Sequence, residues 1–511
     1  MKRIIFLIST IFLLAACSSD DEVLNEKDEQ LVLEQIEVHA KLKSAVDKEL
    51  RVAAYEAKPE KLVITLSDES EMVLPNTLSL FTIGENGNWW IDGTKTEVEA
   101  KANSKITFTP NGSWLIDSTD TGVALKGDKE KNDLEIVAIV LKENLMVFIF
   151  ADASTINLET NAPEIILIEP MDGFEIDMMQ WLRLSPEVKN GDVSSFEWTM
   201  DEEVIGNTSE LLHLFVEAGT YDIKFTAKNN MGAATKSLSI TVNEQTYQNK
   251  IAKVYEFLPA PGQFVNKMPK ATADDDAESM LAKANETLTG GGMVSLGGFG
   301  GYVTFGFDHT VVNREGNDFV VLGNAFKDWA EPGVIMVSYD ANGNGLPDDE
   351  WFEIEGSQHP AESTIKDYEM TYYRPNEEPA EPNEQEYIRW TDNKGQEGYI
   401  AKNNFHRQPY YPMWEGESIT YKGTYLEAAI YDESGTGTMW KNPAYEFGYS
   451  DNWPNNDERG EIDIDWAVDK DGNKVNLKGI DFIRVHTSTR AAGGWLGEVS
   501  TEVSGFKDLN L

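Results

Sequence analysis

Short runs in which apolar and polar residues alternate, with turn-forming residues between them, make up most of the chain. This is the pattern of half-buried strands. Phe196-Glu197-Trp198-Thr199-Met200 carries it in mid-chain, followed by Ile223, Phe225 and Ala227 and by Leu238, Ile240 and Val242. Phe319-Val320-Val321-Leu322 and Val334-Ile335-Met336-Val337 are apolar throughout, as inner strands are. The spacing differs from Leu31 to Glu56, where Leu31, Leu33, Ile36, Val38, Leu42 and Val46 sit among charged residues at helix-like intervals. That stretch is either a short helix ahead of a β domain or the first strands of it. The pattern predicts an all-β, multidomain protein, and 511 residues correspond to about three domains. We place a small β-rich module at 31–160, a sandwich at 161–243 and a large β-sandwich at 251–511, with Asn243 to Lys250 as a polar linker.

A repeat lies in the first module. Asn86-Gly87-Asn88-Trp89-Trp90-Ile91-Asp92 recurs 25 residues later as Asn111-Gly112-Ser113-Trp114-Leu115-Ile116-Asp117. Asn-Gly before an aromatic and apolar run is a hairpin signal, so two hairpins of one design are expected. Their Trp residues are expected in core packing or hairpin clamping ahead of ligand stacking. In the second segment, Trp198 is the expected core aromatic, Ala218-Gly219-Thr220-Tyr221 opens a later strand, and Asn229-Asn230-Met231-Gly232 makes a turn. These features resemble the PKD family of immunoglobulin-like sandwiches. The resemblance implies spacing and adhesion, with no chemistry.

The C-terminal half is rich in glycine and aromatics, and a jelly-roll-like sandwich is expected. Gly290 to Phe305 is glycine-dense, but no Gly-Lys-Ser/Thr follows it, so it is not a phosphate loop. Glycines among β-branched and aromatic residues mark bulges and close backbone approach. The run Asp340 to Glu350 places oxygens of Asp340, Asn342, Asn344 and Asp348 at alternate positions, with Gly345 at the sharp turn and the Leu346 carbonyl at position 7. It resembles the calcium loops of EF-hand, dockerin and thrombospondin type 3 repeats. Position 12 carries Trp351 in place of the usual Glu, so Glu350 or Asp349 would supply the last ligand. A structural calcium is the expectation; an Asx-rich turn with no ion is the alternative.

Chemistry at the N-terminus gives an address. Lys2 and Arg3 precede an apolar run from Ile4 to Leu14, and Leu14-Ala15-Ala16-Cys17 ends it in a thiol. This is a secretory signal over 1–16, and the box resembles the lipobox of bacterial lipoproteins, which makes Cys17 the lipidated residue. Residues 17–30 read as an acidic tether, and Ser18-Ser19-Asp20-Asp21-Glu22 resembles the surface-export signal of lipoproteins in Gram-negative gut anaerobes. Cys17 is the sole cysteine, so no disulfide, Cys-based zinc site or thiol nucleophile exists within the chain beyond it. A net charge of −45 repels nucleic acid and excludes a DNA- or RNA-binding role.

Catalytic signatures are thin. There are six histidines, without a His-Glu-x-x-His cluster, and Gly-x-Ser-x-Gly is absent. Asp308-His309 and the carboxylates Glu331, Glu353 and Glu498 are the acid–base candidates, and a glycosidase-like pair among 88 acidic residues has no identifying spacing. The aromatics Trp329, Trp390, Tyr410, Tyr411, Trp414, Trp440, Tyr449 and Trp453 fall in loop-like, polar surroundings that suit stacking on sugars or a flat macrocycle. Gly301 to Thr310, Gly323-Asn324-Ala325-Phe326, Glu331-Pro332-Gly333, Asp481 to Thr487 and Gly494 to Glu502 resemble a group of cell-surface lipoproteins associated with outer-membrane cobalamin uptake. The resemblance implies a non-enzymatic lipoprotein at the cell surface that binds a cobamide for a TonB-dependent transporter. A glycan-binding protein, an adhesin and a carboxylate glycosidase are the alternatives.

Overall fold

The computed structural model describes residues 26–511 except 59–60, 76–77, 85–86, 102–103, 127–132, 143, 172, 191–192 and 380–382, and excludes the side chains of 26–29 and 31. The signal segment, Cys17 and the tether up to residue 25 lie outside the described residues. What is described is β almost throughout, with two α-helices. Among the described residues no helix is long and apolar enough to cross a membrane. The chain divides into two compact units. One takes the described residues up to Pro170 with Ser185–Leu211 and Asp222–Ser239; the other takes Met171–Leu184, Leu212–Tyr221 and Ile240–Leu511.

The first unit opens with a helix, Glu26–Asp47, followed by a strand, Val52–Ala57. Both readings of the Leu31–Glu56 spacing therefore hold in part. The helix begins inside the stretch 17–30 read as tether, because Glu26, Lys27 and Glu29 are good helix formers and acidic residues suit a helix start. Leu42 and Ala45 bury its apolar stripe in a core with Ile64, Phe148 and Phe150. A six-stranded sheet runs Thr155–Glu159, Leu145–Phe150, Ile136–Lys142, Ser79–Ile83, Asn88–Ile91, Thr94–Glu99.

The repeat folds as two copies of one hairpin. Asn88–Ile91 pairs with Thr94–Glu99, and Ser113–Ile116 with Thr119–Ala124. The tight turns begin at Asp92 and Asp117, with φ of 54° and 50°. Their carboxylates accept the N–H of Leu80 (2.9 Å) and Lys105 (2.7 Å). Thr96 and Thr121 hydroxyls donate to the carbonyls of Trp89 (2.8 Å) and Trp114 (2.9 Å). Both Trp side chains are fully buried against Phe81. They are core residues, as expected.

In the sandwich segment the sheet order is Phe174–Asp177, Gly232–Asn243, Gly219–Asn229, Ser195–Met200, Glu203–Gly206. Trp198 is fully buried, stacks on Phe225 at 4.2 Å and donates its Nε1–H to the Thr208 carbonyl at 3.0 Å. The Asn229 side-chain oxygen accepts from Met231 (2.9 Å) and Gly232 (3.2 Å) and so closes the expected turn.

The second unit is built on a six-stranded sheet: Lys253–Leu258, Tyr302–Val312, Gly479–Thr487, Gly333–Ser338, Phe352–Ile354, Ala467–Val468. Val303, Phe305, Ile335, Val337, Ile483 and Val485 point into one core. A helix, Ala277–Thr289, starts with a reciprocal Asp276/Ser279 capping box and buries Met280, Ala284 and Leu288. A four-stranded sheet, Glu397–Ile400, Ile388–Asp392, Ile365–Tyr373, Ser418–Tyr425, encloses a separate core of Phe299 with Tyr368, Tyr372, Tyr410, Tyr411 and Tyr421. The glycine-dense segment lets backbones meet: a Cβ at Gly301 would collide with the Leu296 carbonyl.

One buried carboxylate gives a pH-dependent prediction. Asp318 is fully buried and accepts from the N–H of Arg314 (2.8 Å) and Ile464 (2.9 Å). Burial still pushes its pKa from 3.8 up to about 6. A raised folded value means its contribution is full below the ordinary pKa and is lost as pH rises through about 6. Relative to Asp318→Asn, the native chain is expected to lose about 2 kcal/mol between pH 4 and 7, read from urea midpoints. Equal pH slopes in the two proteins would contradict this.

Candidate binding site

Strand and loop residues of the second unit line two pockets that share Glu498. The larger, about 540 Å³, is bordered by Trp329, Trp440, Phe264, His406, Glu331 and Glu498. The smaller, about 380 Å³, is bordered by Trp390, Tyr399, Arg490, Trp495, Asn403 and again Glu498. The short turn Gly494–Leu496 stands at the divide, with Trp495 on the smaller pocket and Leu496 on the larger. Gln263 pins this turn, donating to the Leu496 carbonyl (3.0 Å) and accepting from Asn403 Nδ2 (2.8 Å). Gly497 has a φ of 95°, and a Cβ there would collide with the Gln263 amide, so glycine is required.

Trp329 is held by paired backbone hydrogen bonds with Phe326 (3.1 and 3.0 Å), and Trp440 sits on the two-residue strand that pairs with Tyr431–Asp432. The surrounding surface is apolar. Phe326 is 63% exposed, Phe405 66%, Met439 54% and Trp495 48%, and the Phe405 and Trp495 rings lie 5.6 Å apart. So many large apolar side chains around pocket mouths, on a chain of net charge −45, mark a binding surface. The pocket walls add amides, from Gln263 and Asn324 in one and Asn383, Gln385 and Asn403 in the other.

The structure brings together three of the eight aromatics singled out from the sequence: Trp329 and Trp440 in one pocket and Trp390 in the next. The Trp390 ring is covered by the Arg490 guanidinium at 4.2 Å. Trp453 lies under the Arg459 guanidinium at 3.5 Å, and Trp414 packs on Phe257 at 6.4 Å; neither borders the pockets. Tyr410 and Tyr411 are buried, as is Tyr449, which removes their rings from any surface open to a ligand. Their local sequence is polar because the loop that carries them caps the tyrosine-rich core. The Tyr410 hydroxyl, for example, donates to the His406 carbonyl at 3.1 Å. Phe264 and Arg490 escaped the sequence reading, and Phe326 and Trp495 were noted there only within motifs of the family resemblance, not as binding residues.

The candidate carboxylates separate clearly. Glu353 accepts from His359 (3.0 Å) and Thr424 (2.9 and 2.8 Å), away from the pockets. His309 lies between Asp308 (2.9 Å) and Asp508 (3.1 Å), deep inside the fold. Burial opposes protonation of its ring, and the hydrogen bonds from the two carboxylates outweigh that and raise its pKa. Glu331 and Glu498 both border the larger pocket. Burial pushes Glu498 up to about 8, and burial also raises Glu331.

The Asp340 loop is ordered around its own oxygens. Asp340 accepts from the N–H of Gly343 (2.8 Å), Asn344 (3.1 Å) and Gly345 (3.2 Å). The amides of Asn342 (2.9 Å) and Asn344 (3.1 and 2.9 Å) converge on Asp348. Leu346 donates its N–H to Asn344 Oδ1 at 2.7 Å. Asp349 also reaches in, accepting from Ala341 N (3.0 Å) and Asn342 Nδ2 (3.2 Å), whereas Glu350 lends its carbonyl to Ser338 (2.8 Å). Trp351, at position 12, lies under the Arg484 guanidinium at 4.6 Å. An all-oxygen donor set of two aspartates and two side-chain amides fits a hard cation.

Comparison with known proteins locates one module. Residues 162–229 match the PKD-like domain. The match covers the Trp198 strand and the Asn229 turn start, so this part of the chain is a PKD-like, immunoglobulin-like sandwich. Curated proteins give no match. Among solved structures, the fibronectin(III)-like modules of Clostridium thermocellum CbhA align at 21% identity over 16% of this chain and 100% of theirs, with a TM-score of 0.14. Titin Ig tandem domains A164-A165 align at 12% identity over 38% and 91%, TM-score 0.14. Carbohydrate-binding modules from the β-sandwich superfamily align at 10% identity over 68% and 98%, TM-score 0.14. At such scores these alignments carry no functional argument, and the reading below rests on the site.

Proposed function

We propose that the chain is a surface-exposed outer-membrane lipoprotein, anchored through Cys17, that captures a cobamide for a TonB-dependent transporter. In this reading 31–160 and the PKD-like segment within 161–243 are spacers, and 251–511 is the ligand-binding domain. The observation that carries it is the exposed apolar rim around two adjoining pockets, with Trp329, Trp440 and Trp390 on their walls. A corrin is flat, broad and fringed with amides. It needs stacking faces and amide partners over an area larger than one pocket, and the rim and walls offer both. Binding is passive: the pocket removes the ligand from water and releases it, with no bond made or broken.

A glycan is the second reading, favoured by carboxylates at the edge of a tryptophan-lined pocket, since sugars take stacking on one face and hydrogen bonds at their hydroxyls. Absorbance of bound corrin after gel filtration with cyanocobalamin supports the first reading. Retention on a glycan array without corrin binding supports the second.

The Asp340 loop is proposed to hold a structural calcium through Asp340, Asn342, Asn344, Asp348 and the Leu346 carbonyl, with Asp349 at the edge. At calcium a hundredfold above its dissociation constant, the domain is expected to gain about 3 kcal/mol, and Asp348→Asn to lose most of that gain. Thermal midpoints with calcium and with chelator check it. An equal calcium-dependent shift in Asp348→Asn would contradict the assignment.

A further inference from the structure

Glu331, on the wall of the larger pocket, meets two carboxylates contributed by other segments, Asp451 and Glu502. Glu331 precedes the central strand Gly333–Ser338, Asp451 follows a turn, and Glu502 sits in the short strand Glu502–Val503 that pairs with Val294–Ser295. An oxygen from each lies within 4.8 Å of the others. The fold presses them together: a Cβ at Gly323 would collide with the Asp451 carboxylate.

Glu331 and Glu502 share a carboxyl–carboxyl hydrogen bond, and the other hydrogen bonds that aim these groups come from neutral donors. Asp451 accepts from the N–H of Asn324 (2.7 Å), Ala325 (2.8 Å) and Glu502 (2.9 Å). Glu331 accepts from Ser500 N (3.1 Å), and Glu502 from the Ser500 hydroxyl (2.6 Å). Bonds from neutral donors orient carboxylates and leave lone pairs free, but they do not neutralise the charge. Carboxylates packed this closely in a low-dielectric setting repel strongly, and burial without a counter-charge is costly.

A second observation points to what belongs there. Glu498 is only 7% exposed and borders the same pocket as Glu331, one oxygen held by the Gln263 N–H; its Oε2 has no hydrogen-bond partner. An unpartnered buried carboxylate oxygen on the pocket wall that Glu331 shares, close enough to Glu502 for their charges to interact, is what a cation would satisfy.

We propose that Glu331, Asp451 and Glu502 bind a hard divalent cation, calcium first, where Glu331 borders the Trp329–Trp440 pocket, with Glu498 on the same pocket wall. The donors are all oxygen, with no imidazole or sulfur in the cluster, which selects calcium or a similar ion over zinc or copper. This site is separate from the Asp340 loop and does not depend on the identity of the organic ligand.

The test is equilibrium dialysis of the purified, chelator-stripped chain against calcium, without any organic ligand. Asp340→Asn is used to silence the loop. Asp340→Asn is expected to retain one bound calcium per chain, and adding Glu331→Gln or Glu502→Gln is expected to weaken that binding at least tenfold. Circular dichroism in chelator confirms that each variant is folded. Because Glu331 stands at the pocket edge and is only partly buried, Glu331→Gln decides the matter if Glu502→Gln fails to fold. Two results would overturn the proposal: no calcium on folded Asp340→Asn, or undiminished binding in Asp340→Asn/Glu331→Gln. Either would mean that the carboxyls share protons and hold no cation.

Discussion

Trp329→Ala and Trp440→Ala are each expected to weaken ligand binding about 30-fold, or about 2 kcal/mol, without lowering the thermal midpoint of the domain. Both rings border the larger pocket; the backbone of Trp329 is held by Phe326 independently of its indole, and the Trp440 indole donates only to the Gly437 carbonyl of its own exposed turn (3.2 Å). Truncation removes one of the two indole stacking faces of this pocket. Trp453→Ala serves as the control. Its ring is engaged by Arg459 outside the pockets, so its loss is expected to change affinity less than twofold. The measurement is calorimetric titration of each variant with the same ligand. A Trp453→Ala loss as large as that of Trp329→Ala would show that the pocket is misplaced.

Trp198→Ala is expected to destabilise the PKD-like segment by about 4 kcal/mol, enough to unfold a marginal domain. Three losses add up: a fully buried indole, its stack on Phe225, and its hydrogen bond to the Thr208 carbonyl. A cavity of this size between two sheets cannot collapse without breaking strand pairing. Because the chain has several domains, a single global midpoint is a poor reporter. Limited proteolysis mapped by mass spectrometry is the better one, with new cleavage expected between 162 and 243 and protection retained at 251–511. Unchanged protection in the PKD-like segment would contradict the assignment of Trp198 as its core.

These outcomes also separate what the sequence shows from what it hides. Trp89, Trp114 and Trp198 were readable because each sits in a strand whose alternation and flanking turns fix which side faces inward. Their burial follows from local pattern alone. Tyr410, Tyr411 and Trp390 come from equally polar stretches, yet the tyrosines are buried and Trp390 borders a pocket. The difference is set by the four-stranded sheet that covers the tyrosines, a long-range contact with no local signature.

The same holds for the acidic residues. Glu331 and Glu498 stood out as candidates, but nothing near either names Asp451 or Glu502 as their neighbour. Only the pairing of Glu502–Val503 with Val294–Ser295 and the close approach at Gly323 bring Glu331, Asp451 and Glu502 together. The Asp340 loop is the opposite case: its Asp and Asn residues lie close together in sequence, so their clustering was visible in the spacing. The participation of Asp349, with Glu350 using its carbonyl elsewhere, required the folded loop.

The central claim is capture of a cobamide by the tryptophan-lined pockets, and isothermal titration of the purified chain with cyanocobalamin tests it most directly. The account predicts saturable one-to-one binding that Trp329→Ala weakens about 30-fold. No heat at high micromolar cyanocobalamin, from a chain shown to be folded, would contradict it.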